Sequence, residues 1–121
     1  MMQRYTYMSL ALLLVAFSAF AKEIVPKPGM RFLKARAMLQ ASGWRPVDVH
    51  LKDGYEFIGV EKRLKARHVD EVESCAIDRG LCIFNYKQGA RCMRLIARGE
   101  KVGGMRVESW SHACPEAPAS P

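Results

Sequence analysis

The sequence lacks the residue patterns on which most enzymes and metal sites depend. It contains no G-x-S-x-G nucleophile motif, no H-E-x-x-H zinc motif and no glycine-rich phosphate loop. The three histidines, His50, His68 and His112, are far apart, and none has a partner at ligand spacing. We therefore predict a protein that is not an enzyme and has no catalytic residues, no metal site and no cofactor.

No apolar run is long enough for a comfortable membrane span of about 20 residues. The longest run, residues 9–20, follows the single charged residue Arg4 and ends in Ala19-Phe20-Ala21. A charged start, an apolar centre and an A-x-A end are the three parts of a secretory signal peptide. We expect residues 1–21 to be removed, no transmembrane segment after processing, and a location in the periplasm or outside the cell. An uncleaved N-terminal anchor is the alternative.

Closely spaced cysteines are also absent, although the chain has four cysteines. Cys75, Cys82, Cys92 and Cys114 are separated by six, nine and twenty-one residues, so no C-x-x-C pair exists. This spacing is poor for zinc, whereas an even number of cysteines in an exported chain favours disulfides. We therefore predict that all four cysteines form two disulfides.

Acidic residues are fewer than basic ones, and the formal net charge is +7. A basic protein is attracted to polyanions, which in an envelope or outside the cell are lipid headgroups, lipopolysaccharide, cell-wall polymers or acidic proteins. We expect no nucleic-acid partner, because nucleic acid belongs to another compartment. The candidate binding residues are those of the densest basic run, Lys62, Arg63, Lys65 and Arg67. A solvated face balanced by neighbouring carboxylates is the alternative.

Good helix formers fill residues 30–41 and predict an α-helix. The apolar spacing predicts the buried face, made up of Met30, Leu33, Ala37 and Ala41. We expect Gly43 to end the helix in a left-handed conformation, and Trp44 to fold back onto the helix end.

The segment between this helix and the first cysteine gives mixed signals. Residues 47–51 alternate apolar and polar positions, which predicts a half-buried strand. Residues 55–60 favour a short strand or an ordered loop, and residues 61–68 could form a helical turn with Leu64 facing inward. Residues 69–75 are compatible with a helical or an extended conformation.

Three β-prone runs, residues 81–86, 91–97 and 105–110, are separated by glycine-containing turns, the first at Gln88-Gly89. They predict an antiparallel meander. The predicted fold is therefore α+β, with one N-terminal helix packed on a small antiparallel sheet of three to five strands and two disulfides. We expect a single domain over residues 22–114 and a disordered, proline-rich tail over residues 115–121.

The meander also predicts how the cysteines pair. With that first turn, Asn85 would lie opposite Cys92, so Cys82 would be too far along the strand for the Cα limit of about 7 Å. Cys75 and Cys82 flank a short loop that can close, and Cys92 and Cys114 can approach in the second hairpin. We predict the pairs Cys75–Cys82 and Cys92–Cys114.

Two motifs resemble those of a family of small exported bacterial proteins that carry a signal peptide. The first is an A-R-x-x-L…G-W-x-P helix and turn, here from Ala35 to Pro46. The second is E-x-x-x-C with a further cysteine that opens a strand, here Glu71 to Cys75 and then Cys82. The helix half is also similar to a PASTA cell-wall-binding module, although the cysteines depart from that pattern. The first resemblance implies export and a disulfide region, and no particular activity.

These observations together predict a non-catalytic, periplasmic or secreted binding protein of the bacterial envelope, whose partner is a protein or an anionic polymer. The alternative is a secreted inhibitor or immunity-type protein that blocks an enzyme.

Overall fold

A computed structural model of the chain describes residues 23–116, together with Met2 and Leu14. The predicted signal peptide, apart from those two residues, and residues 117–121 of the predicted tail lie outside the described residues. None of the helices in the described part has the length and apolarity that a membrane crossing requires.

The chain folds as an α+β structure with two helices and a five-stranded antiparallel sheet. In chain order the elements are α1 (Phe32–Ala41), β1 (Arg45–Pro46), α2 (Val60–Ala66), β2 (Val72–Ala76), β3 (Leu81–Gln88), β4 (Arg91–Arg98), a short 3₁₀ helix (Val102–Gly104) and β5 (Arg106–Ser111). β1 and β2 pair with different parts of β3, which pairs with β4, which pairs with β5. The α+β class, the antiparallel sheet and the two disulfides are confirmed, but α2 is a second helix where the fold prediction counted one.

The predicted meander is present as β3, β4 and β5, but its first turn lies one residue later than expected. The turn is formed by residues 89–90, and its glycine adopts a φ of +59°, as a two-residue hairpin requires. Cys92 therefore faces Lys87 and not Asn85. The predicted register was wrong, yet the conclusion drawn from it holds, because Cys82 is still farther from Cys92 along the hairpin.

Both predicted disulfides are present, and no cysteine is left free. Cys75 and Cys82 lie directly opposite each other on β2 and β3, with Cα atoms 4.0 Å apart. Cys92 and Cys114 have Cα atoms 5.1 Å apart, and their bond ties the segment after β5 to the start of β4. Each disulfide therefore fixes an element that the meander alone would leave loosely held.

α1 begins later than predicted and buries another face. Residues 28–30 form a turn that is bonded to β5, because the Val107 amide donates to the Met30 carbonyl at 2.8 Å and the Gly29 amide donates to the Val107 carbonyl at 2.7 Å. Arg31 then makes a single β-bridge to Arg106. The buried residues of α1 are Phe32, Ala35 and Leu39. Leu33, Ala37 and Ala41 of the predicted face all reach solvent. The end of the helix is as predicted, with Gly43 at a φ of +91° and the Trp44 amide bonded to the Leu39 carbonyl.

The predicted strand at residues 47–51 is wrong, because β1 ends at Pro46 and turns follow it. The Asp48 side chain explains the difference. Its Oδ1 accepts a hydrogen bond from the His50 amide at 2.8 Å, a local turn that competes with strand pairing. The suggested helical turn at residues 61–68 is present as α2, and the segment before Cys75 is extended as β2.

Candidate functional site

The four predicted binding residues differ in how their charges are compensated. The Lys65 ammonium lies 2.7 Å from a carboxylate oxygen of Asp70 and 3.7 Å from one of Asp48. The hydrogen bond to Asp70 raises the pKa of Lys65 against the lowering effect of burial, and the carboxylate charges add to the rise. The charge of Lys65 is therefore compensated by its neighbours.

The remaining cations of the basic run are placed differently. Lys62, Arg63 and Arg67 are exposed, and none has a carboxylate within salt-bridge distance among residues 23–116. The Arg63 guanidinium donates to the Glu100 carbonyl at 3.0 Å. This bond joins α2 to the loop after β4, where Lys101 also lacks a carboxylate partner within the described range.

Two pockets, of about 410 and 380 Å³, share Arg63 and Lys101 as lining residues. Arg67 lines the smaller one. The larger pocket is lined by both charged and apolar side chains. The apolar ones are Ile58, Val60, Ala76 and Ile77. We call the two pockets with Arg63, Arg67 and Lys101 the cationic groove.

A buried carboxylate positions one wall of the cationic groove. Glu61 is only 1% exposed, and its Oε2 accepts hydrogen bonds from the Cys75 amide at 2.7 Å and the Tyr55 hydroxyl at 3.0 Å. Its Oε1 accepts from the Ile58 amide at 3.0 Å. Because a buried carboxylate needs such donors, Glu61 locks the start of α2 to β2 and fixes Ile58 at the pocket edge.

A glycine contact positions the opposite wall. The Gly99 amide donates to the Gly80 carbonyl at 2.9 Å, which ties the loop after β4 to the β2–β3 hairpin. Gly99 has a φ of +150°, and a Cβ there would lie 2.8 Å from the Met105 Cα. Only glycine fits this close approach, and the loop that carries Lys101 depends on it.

A second polar cluster surrounds His50. Its Nδ1 lies 2.7 Å from Asp53 Oδ2, and its Nε2 contacts the Glu73 carbonyl. Both partners are acceptors, so both ring nitrogens must donate, and only a protonated imidazole can do so. The ring also stacks on Tyr55, with centroids 4.0 Å apart. His50 has no free nitrogen to accept a proton from a substrate, and its contacts fasten the loop before α2 to β2.

The contacts of His50 predict a pH dependence of stability. Burial alone would lower the pKa of His50, but the hydrogen bonds to Asp53 and to the Glu73 carbonyl outweigh it, and the pKa lies above its ordinary value of 6.5. Because the folded-state pKa is the higher one, this stabilisation is complete below the unfolded-state pKa and is lost as pH rises through the folded-state pKa. Other charges near the ring are those of Asp48, Arg94 and Glu116.

The measurement is urea unfolding of the wild type and of His50→Gln at pH values from below the unfolded-state pKa of histidine to above the folded-state pKa of His50. We expect the difference in unfolding free energy between the two proteins to shrink as pH rises. A difference that stays constant or grows with pH would contradict the assignment of a protonated His50.

Sequence reasoning found Arg63 and Arg67 but missed Lys101, Ile58 and Ile77. An isoleucine at position 77, in a predicted loop beside a cysteine, was a usable signal, because a loop exposes such a side chain to water. No signal pointed to Lys101, which is far from α2 in sequence. Within the described residues, no group of three or more His, Cys, Asp or Glu side chains is arranged to hold a metal ion.

Comparison with protein-family models, with curated proteins and with solved structures finds no match to this chain. The function must therefore be argued from the geometry of the cationic groove.

Proposed function

We propose that this protein is a non-catalytic binding protein of the bacterial envelope, periplasmic or secreted, that binds an anionic envelope component through the cationic groove. The observation that carries the proposal is the convergence of Arg63, Arg67 and Lys101 on adjoining pockets without carboxylate partners in the described chain. Cations that are grouped and form no salt bridge attract an anion more strongly than cations paired within the protein.

The location is supported by two features. The N-terminal sequence has the three parts of a signal peptide. The chain has two disulfides, and disulfides form and persist in oxidising compartments. An exported protein meets anionic lipids and polymers in the envelope, which are the ligands that the cationic groove would attract.

The proposal extends to the packing of α1 and to the resemblance. We propose that α1 covers one face of the sheet, which is supported by the stacking of Phe32 on Phe84 with ring centroids 4.0 Å apart. The two motifs of the small exported proteins also meet, because Arg36 of the first motif pairs with Glu71 of the second at 2.7 Å.

The proposal predicts that retention on immobilised polyphosphate depends on the groove and on salt. Each cation near an anionic surface contributes about 1 kcal/mol, so replacing Arg63, Arg67 and Lys101 together with Gln should weaken binding roughly a hundredfold. Raising the salt should release the wild type, because exposed charges are screened over about 8 Å at physiological ionic strength. The measurement is the salt concentration at which each protein elutes.

Lys65→Gln is the matched control, because Lys65 lies on the same helix and its charge is already neutralised by Asp70. We expect it to elute close to the wild type. A triple variant that elutes with the wild type, or a Lys65→Gln variant that loses as much retention as the triple variant, would refute binding through the cationic groove.

A further inference from the structure

We propose that the ligand of the cationic groove is an anionic glycerophospholipid, with its phosphodiester at Arg63 and Lys101 and part of its acyl chain against the apolar wall. This inference rests on the proposed function and names its ligand class. Two features of the larger pocket support this ligand class: its lining includes exposed apolar side chains, and its ionic groups have a small net positive charge.

Two exposed isoleucines line this pocket. Ile58 is 46% exposed and Ile77 is 81% exposed, and both line the pocket that also holds Arg63 and Lys101. Val60 and Ala76 extend the apolar lining between these positions in the chain. Exposed aliphatic side chains gain free energy when they are covered, at about 25 cal/mol per Å². A ligand with a hydrocarbon portion would cover them.

The charge of the pocket selects a ligand with a single negative charge. Glu100 lines the same pocket as Arg63 and Lys101, so these three ionic groups give a net charge of +1. A phosphodiester carries one negative charge and matches this balance. A headgroup with several phosphates would bring additional negative charges towards the Glu100 carboxylate, and like-charge repulsion would offset part of their attraction to the two cations.

The polar and apolar parts of the pocket are held in a fixed relation. Arg63 bonds to the carbonyl of Glu100, which precedes Lys101 in the loop after β4. Gly80 at the end of the β2–β3 hairpin tip bonds to the same loop, and the Cys75–Cys82 disulfide closes the base of that tip. The hairpin tip presents Ile77 beside the two cations, an arrangement that suits the boundary between lipid headgroups and acyl chains.

The test is sedimentation of the mature protein with vesicles of phosphatidylglycerol mixed with phosphatidylcholine. Ile58→Ser and Ile77→Ser should each weaken vesicle binding about tenfold, because each removes an aliphatic side chain that the lipid covers. Arg63→Gln and Lys101→Gln should each weaken it about fivefold. Leu51→Ser is the matched control, because Leu51 is 78% exposed and lies outside the groove, and it should bind as the wild type does.

The two isoleucine variants should elute from polyphosphate with the wild type, because they keep every cation. If they also bind vesicles like the wild type, the lipid inference is overturned and the proposed function stands. Equal binding to pure phosphatidylcholine vesicles would overturn it too, because the cations would then have no role. If the wild type binds neither vesicles nor polyphosphate, both proposals fall. Circular dichroism shows whether each variant is folded. If Ile58→Ser is unfolded, the vesicle test is made with Ile77→Ser alone.

Discussion

Replacing Cys92 and Cys114 together with alanine should lower the free energy of unfolding by about 3.5 kcal/mol. The bond joins residues separated by 22 positions, and this closed loop contains β4 and β5. In the chain-entropy model, breaking this cross-link raises the conformational entropy of the unfolded chain. For a loop of this length, the gain stabilises the unfolded state by about 3.5 kcal/mol. A small domain has only about 5–15 kcal/mol of net stability, so the loss is a large fraction.

Guanidinium unfolding of the wild type and of the double variant measures this loss. Cys75→Ala with Cys82→Ala provides the comparison, because its shorter loop contributes about 2.5 kcal/mol in the same model. The segment after β5 should become sensitive to proteolysis only when Cys114 is removed, since that bond anchors it to β4. An unfolding free energy that is unchanged by loss of the Cys92–Cys114 bond would contradict the account.

Replacing Arg36 with alanine should destabilise the protein by about 3–5 kcal/mol. The Arg36 guanidinium donates to both carboxylate oxygens of Glu71, at 2.7 and 3.2 Å, and the Glu71 side chain is fully buried. Burial raises the pKa of the neighbouring Tyr86 well above its ordinary range, and the negative charge of Glu71 adds to the rise. Without Arg36, a buried negative charge would be left without its cationic partner.

A double-mutant cycle separates this cost from the value of the pair. Arg36→Met with Glu71→Leu should recover most of the loss, because replacing the buried carboxylate and its partly buried partner by apolar groups leaves no orphaned charge. Arg98→Ala is the surface control, since the Arg98–Glu108 pair is also short, at 2.8 Å, but exposed on both sides. It should cost no more than about 1 kcal/mol. Equal losses for Arg36→Ala and Arg98→Ala would refute the role of burial.

The parts of the fold that sequence reasoning predicted correctly are those that local chemistry determines. The turn glycines between β-prone runs located the meander, and Gly43 located the end of α1. The disulfide pairing followed from the hairpin geometry, and a turn that lies one residue later did not change which cysteines can meet. These features depend on backbone conformation and on short-range distances along the chain.

The buried face of α1 was mispredicted because tertiary contacts decide it. Phe32, Ala35 and Leu39 have the same i, i+3, i+7 spacing as Met30, Leu33 and Ala37 of the predicted face, so periodicity alone does not choose between the two faces. Arg36 adjoins the buried face and forms an ion pair there. Its partner Glu71 is 35 residues away, so the pair cannot be recognised from periodicity. The strand predicted at residues 47–51 failed for the opposite reason, because the local Asp48 turn overrides an alternating pattern.

The cationic groove was only half visible in the sequence. Arg63 and Arg67 stood out as members of a basic run, but the run gave no way to see that Lys65 faces Asp70. Lys101 and Ile77 join the groove through the Arg63 bond to the Glu100 carbonyl and the Gly80–Gly99 contact. These contacts join three segments that are distant along the chain, and only the folded structure shows them.

The most direct test of binding through the cationic groove is an amide ¹H–¹⁵N NMR titration of residues 22–121 with a short-chain phosphatidylglycerol below its micelle concentration. The account predicts that shift changes concentrate at the groove residues Ile58, Arg63, Arg67, Ile77 and Lys101. Amides near His50 and Arg94, which line a different pocket, should remain unchanged. Changes centred on that second pocket, or spread evenly over all exposed cations, would contradict the account.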